Sequence, residues 1–127
     1  MIALDHGLAR CGVAVSDLTR TLATPAGVVE RPDSRRGFGR LVALLGEREA
    51  THVVVGFPRT LRGDEGEQAR AVRTFAERLA LRIAPVPVEL WDERFTSTIA
   101  QARGGDEALD ARAAAVILEE WLEVHHP

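Results

Sequence analysis

The run His52-Val53-Val54-Val55, closed by Gly56 and Pro58, restricts the fold more than any other stretch of the chain. Consecutive β-branched residues without polar alternation fit a buried strand of a parallel sheet, and such sheets are clothed by helices. The next segment, Arg59–Gly66, is polar and glycine-bearing, which predicts a loop. Beyond it Ala69, Val72, Phe75, Ala76 and Leu79 recur on one face, the pattern of a long amphipathic helix. Val86–Trp91 is the following strand, and it runs straight into Asp92-Glu93-Arg94.

The first third of the chain reads differently. Ile2–Asp5 and Cys11–Ser16 are short apolar runs joined by a glycine-containing turn, which predicts a hairpin. A third strand is expected over Ala26–Glu30, after Pro25. Pro32-Asp33-Ser34 supplies a turn and a helix cap, and Phe38, Leu41, Val42 and Leu45 follow at helical spacing. Near the other end, Thr96 or Ser97 caps a short helix that stops near Gly104-Gly105, and a last helix covers Glu107 to Val124. The expected fold is α/β: three antiparallel strands, then two parallel βα units, in one mixed sheet with helices on its faces. At 127 residues, 1–127 is expected to be one domain, given the usual ~100–200 residues per domain.

Composition narrows the function. With 46% hydrophobic residues the chain buries a core without staples, and the lone Cys11 reads as a small core residue of a reducing compartment. No apolar run approaches the ~20 residues that cross a bilayer, so a cytoplasmic protein is expected. All 16 basic residues are arginine, a bidentate phosphate binder where lysine is a point charge. A net charge of −3 speaks against a general nucleic-acid binder but not against an enzyme whose site is a cluster of carboxylates.

Carboxylates occur at three such places. Asp5 ends the first strand, where an aspartate before glycine also serves simply to start a turn. Asp92 and Glu93 end the last strand, where either also serves to pair with Arg94 or cap a helix. Asp110 opens the final helix, a position that capping and the helix dipole favour. It nonetheless lies on the stripe of Ala113, Ala114, Ile117 and Trp121, which aligns it with the sheet. The carboxyl ends of parallel strands gather at one edge, where ligands bind. Acids converging there without lysines form a cage for Mg²⁺ or Mn²⁺. Two such ions ~3.5–4 Å apart clamp a scissile phosphate.

The order D-x-G-x-x-R-x-G-V-A-V-S-D, then V-V-V-G-F-P with G-D-E-G-E-Q-A-R-A-V-R, then D-E-R-F-T-S, then D-A-R-A-A-A-V-I-L resembles the YqgF/RuvX family. That family has the ribonuclease H fold and is described as a Holliday-junction resolvase and as a nuclease maturing the 5′ end of 16S ribosomal RNA. The resemblance spans nearly the whole chain. It implies a metal-dependent phosphodiesterase with Asp5, Glu93 (or its neighbour Asp92) and Asp110 as the acidic site. The partner is then structured RNA or branched DNA, the ion Mg²⁺ or Mn²⁺, and the protein a monomer or a homodimer.

Other residues take lesser parts. Arg10, beside Asp5, is a candidate phosphate contact or a surface ion pair; Arg94 orients the acids or the substrate. Arg59 and Arg62, with the Gly56-Phe57-Pro58 turn, offer a nucleic-acid rim. Thr96 and Ser97 read as caps, His6 as a turn residue without a catalytic part, and His125 and His126 as a frayed terminus. Two departures weaken the expected grip on substrate: Ala9-Arg10 stands where the family carries Lys-Arg, and the 102–107 segment is short and acidic where the family has a longer basic loop. Net acidity and the missing basic loop favour one rival, a non-catalytic ribosome-assembly or nucleic-acid-binding protein on the same fold, while the full acidic set weighs against it. A second rival is an actin-like nucleotide-binding lobe, which also begins Asp-x-Gly but needs two lobes.

Overall fold

The computed structural model describes residues 1–17, 19, 22–58, 66–92 and 107–125, with the backbone alone for 107–110. The elements run β1 (Ile2–His6), β2 (Arg10–Ser16), β3 (Ala23–Glu30), α1 (Arg35–Glu47), β4 (Val53–Phe57), α2 (Glu67–Ile83), β5 (Val88–Asp92) and α3 (Glu107–His125). They build one five-stranded sheet in the order β3-β2-β1-β4-β5. β1 and β3 are both antiparallel to β2, whereas β1, β4 and β5 run parallel. This is the expected mixed sheet, and β1 stands at its centre.

Burial follows from that order. Every residue of β1 and of β4 is buried, because both strands have neighbours on each edge and helices over each face. Ile2, Leu4, Val53, Val55 and Phe57 face α1 and α2, where they meet Phe38, Leu41 and Leu45 and the predicted stripe Ala69, Val72, Phe75, Ala76 and Leu79. Ala3, Ala14 and Val54 face the other way, against Ala113, Ala114, Ile117, Leu118 and Trp121 of α3. Cys11 is buried in the first of these layers, outside any disulfide, as a small core residue should be.

The turn into α1 is tightly specified. Ser34 caps the helix, its Oγ accepting from the Gly37 N–H at 3.0 Å and donating to the Arg31 carbonyl at 2.7 Å. A side chain on Gly37 would begin 1.9 Å from that same Arg31 oxygen, so only glycine allows this approach.

All five strand limits differ from expectation, β1 and β2 by one residue each at His6 and Arg10. β3 starts at Ala23 and takes Pro25 into the strand. It is an edge strand, where a missing N–H costs little, and the pairing is already irregular between Val13 and Ala14. Ala26 is the unpaired extra residue there, beside Gly27 at φ 123°. β4 does not stop at Gly56: Gly56 pairs with Trp91 and Phe57 with Asp92, so the expected Gly56-Phe57-Pro58 turn has two of its residues inside an inner strand. β5 begins at Val88 because the Val86 N–H turns back to the Ile83 carbonyl at 3.0 Å. Among the described residues, no helix is long and apolar enough to cross a membrane.

Candidate active site

Asp5 lies near the carboxyl end of the central strand and is only 4% exposed. Its direction follows from alternation along β1. Ile2 and Leu4 belong to the α1–α2 layer and Ala3 to the α3 layer, so Asp5 turns toward α3. Gly12 of β2 pairs with it on one side. On the other side, one step past the Leu4–Val55 pair brings Asp5 level with Gly56. Gly56 in turn pairs with Trp91, a residue of the α3 layer, so at the level of Asp5 β4 presents no side chain on that face, Val54 standing two residues before it.

The same reasoning sorts the other candidates. Arg10 opens β2 two residues beyond Gly12, hence on the face of Asp5 and at the same edge of the sheet. The turn between them is closed by the Gly7 N–H donating to the Arg10 carbonyl at 2.9 Å. A Cβ at Gly7 would stand 2.9 Å from that oxygen, which accounts for the glycine after Asp5-His6. Asp92 goes the other way. It pairs with Phe57, a member of the α1–α2 layer, so the structure does not put Asp92 on the face of Asp5. Asp110 stands in the first turn of α3, one turn before Ala113 and Ala114, which are buried against the sheet as the stripe predicted. Arg59, Arg62, Glu93, Arg94, Thr96, Ser97 and the 102–106 stretch lie outside the described residues, as does the short helix expected near Gly104-Gly105.

His6 corrects its expected place. It ends β1 rather than lying in a turn, and is 2% exposed. Its Nε2 meets both carboxylate oxygens of Asp33, at 3.0 and 2.9 Å, and its ring tilts over Phe75 with centroids 4.5 Å apart. Nδ1 is buried with no partner. The His6–Asp33 pair thus fixes the end of β1 to the turn before α1, immediately behind Asp5. A cavity of about 460 Å³ opens beside it, lined by His6, Gly7, Leu8, Glu67, Gln68 and Ala71. Nothing local in the sequence signals this pair, whose members are 27 residues apart.

A polar and aromatic cluster at the far end of α3 also escaped the sequence reading. Glu89 accepts from Trp121 Nε1 at 3.1 Å and meets His52 Nε2 at 3.0 Å. Trp91 Nε1 donates to Glu120 at 3.3 Å. His125 is not frayed: it is the last residue of α3 and stacks on Trp121 at 3.9 Å between centroids. These contacts seat the C-terminal half of α3 on β5, and so fix the axis along which Asp110 is carried. No group of three or more potential metal ligands converges among the described residues. The acidic constellation depends on Glu93 and Asp110, and of the three only the Asp5 side chain is described.

Comparison with known proteins agrees with this geometry. The family model described as RuvX, Holliday junction resolvase, matches residues 1–124. A Rhodococcus erythropolis protein named "Putative pre-16S rRNA nuclease" is 41% identical over 135 residues, covering 96% of this chain and 76% of its own. A Mycobacterium tuberculosis protein of the same name is 42% identical over 131 residues, covering 96% and 77%. Among solved structures, Thermus thermophilus RuvC in complex with a Holliday junction substrate superposes with a TM-score of 0.56, at 18% identity, over 98% of this chain and 94% of that one. The fold is therefore ribonuclease H-like, and the chain belongs to the RuvX family.

Proposed function

We propose that this protein is a metal-dependent endonuclease of structured nucleic acid, and that its substrate is precursor 16S ribosomal RNA. The observation that carries the reading is Asp5: a nearly buried carboxylate at the carboxyl end of the central strand, facing α3 with only Gly56 level with it on β4. The names of relatives at 41% and 42% identity support RNA as the substrate. Cytoplasmic location follows from such a substrate.

Asp5, Glu93 and Asp110 would hold Mg²⁺ or Mn²⁺, two ions by the number of acids, whereas Asp92, on the other face of the sheet, stays outside the set. The donor set fits: it is all oxygen, as hard cations require. When bound, the ions polarise the scissile phosphodiester and favour attack by water in line with the leaving oxygen. The chain's own residues do the positioning. β1, paired on both edges, holds the Asp5 carboxylate still. Arg10, on the same face, grips a backbone phosphate. Arg59 and Arg62 extend that grip as a rim, and Arg94 orients the acids. RNA maturation is within reach of a monomer, whereas symmetric cutting of a junction would take a homodimer.

The test offers labelled precursor 16S RNA and a four-way DNA junction to wild-type protein and Asp5→Asn, with Mg²⁺ or Mn²⁺ and then with chelator. RNA cleavage that disappears with chelator and with Asp5→Asn is expected. Cleavage of the junction alone would replace the substrate. Binding of either without cleavage would favour a non-catalytic assembly factor.

A further inference from the structure

The two faces of the sheet carry opposite charge. α1 and α2 together hold seven arginines against three glutamates, a net of +4, whereas α3 holds one arginine against five carboxylates, a net of −4. In a chain of overall charge −3, seven of the 16 arginines are thus carried by the two helices that cover the face away from Asp5.

They also line a particular place. An open groove of about 660 Å³ runs between α1 and α2, and Arg35, Arg78 and Arg82 are its charged lining residues, with no carboxylate among them. Arg78 is held in position: its guanidinium lies 3.8 Å over the Phe38 ring and donates to the Asp33 carbonyl at 3.3 Å. Arg82 follows one turn later on α2, and Arg35 faces both from the first turn of α1. Gly39 keeps the floor low, since a Cβ there would meet nothing within 4 Å. Leu81, 84% exposed, forms an apolar lip.

The groove is tied to the catalytic edge through one residue. Asp33 accepts from Arg78 through its backbone and holds His6 through its carboxylate, and His6 follows Asp5 in β1. Arginines in a lining that contains no carboxylate suit phosphate, which they bind in a bidentate way. We propose that the α1–α2 groove is a second nucleic-acid contact surface, gripping the phosphate backbone of a substrate arm away from the bond that is cut. It rests on the reading that the protein acts on nucleic acid, but not on cleavage itself.

The test is equilibrium binding of a fluorescent precursor-16S stem RNA across a salt series, in chelator so that no cutting occurs. Arg35 and Arg82 are both exposed, so Arg35→Ala/Arg82→Ala keeps the fold, which circular dichroism checks. Losing two phosphate contacts should weaken binding on the order of 10-fold at ~0.1 M salt and reduce the log–log salt slope by roughly 1.4–1.8. Arg112→Ala, on exposed α3 surface, should change neither. The proposal is overturned if the double variant keeps the wild-type slope, or if Arg112→Ala lowers it equally. It is also overturned if Arg35→Glu/Arg82→Glu abolishes self-association in sedimentation while RNA affinity stays the same, since the groove then holds a second copy. Wild-type protein that binds RNA through the groove yet never cuts would sink the nuclease reading and leave this one standing. Protein that cuts while the double variant binds normally would do the reverse.

Discussion

The two faces of the sheet solve different problems with different side chains. The α1–α2 face is filled by volume: Ile2, Leu4, Val53, Val55 and Phe57 meet Leu41, Phe75 and Leu79 in a layer of large apolar groups. The α3 face is governed by spacing: Ala3 and Ala14 meet Ala113 and Ala114, so the helix axis can sit close to the strands. The close face is the one that Asp5 joins, and the thick face is the one whose exterior is basic. The thick core layer and the proposed chemistry are thus separated across a single strand, because successive side chains of β1 point opposite ways.

Substitutions can break that contrast, and the largest effect belongs to the chemistry. Asp5→Asn should reduce RNA cleavage by more than ~10²-fold, beyond what loss of an outer-shell partner costs, with little change in melting temperature. Assay and thermal scan together decide it, and retained activity would remove Asp5 from the site. On the thick face, Leu41→Ala, fully buried, should cost ~2–5 kcal/mol in denaturant unfolding. Activity per folded molecule should persist.

Smaller insertions sharpen the comparison. Ala114→Val adds bulk where α3 approaches the sheet and should cost ~1–3 kcal/mol. Here activity should fall as well, because Asp110 travels with the helix. An equal loss of stability with full activity would show that spacing on this face does not serve the site. Gly37→Ala meets backbone oxygens at 1.9 and 2.5 Å and should cost a similar ~1–3 kcal/mol, without touching cleavage. Least of all, Glu89→Gln, which loses the charge that holds Trp121 and His52, should cost about 1 kcal/mol.

Helical features were legible in the sequence because their period is local. All five members of the α2 stripe are buried, as are Phe38, Leu41 and Leu45 of α1. The Asp-x-G turn was legible too, with Asp5 as its candidate. What failed depended on distant pairing. Gly56 and Pro25 read as punctuation, yet each lies within a strand whose neighbours tolerate it. Whether Asp92 shares the face of Asp5 depends on register across β4, which no local pattern encodes. The His6–Asp33 and His52–Glu89 contacts join residues 27 and 37 positions apart, and each partner alone looks like an ordinary surface residue.

The stacked Trp121 and His125 have a consequence for observing the molecule. The chain has two tryptophans and no tyrosine, and both indoles lie at the junction of α3 with the sheet. Intrinsic emission is therefore blind to the α1–α2 layer and reads only the seating of the helix that bears Asp110. Loosening α3 would unstack the imidazole and wet both rings, shifting the spectrum to the red. Without any label, the protein has an optical gauge on the face where its chemistry is proposed to occur.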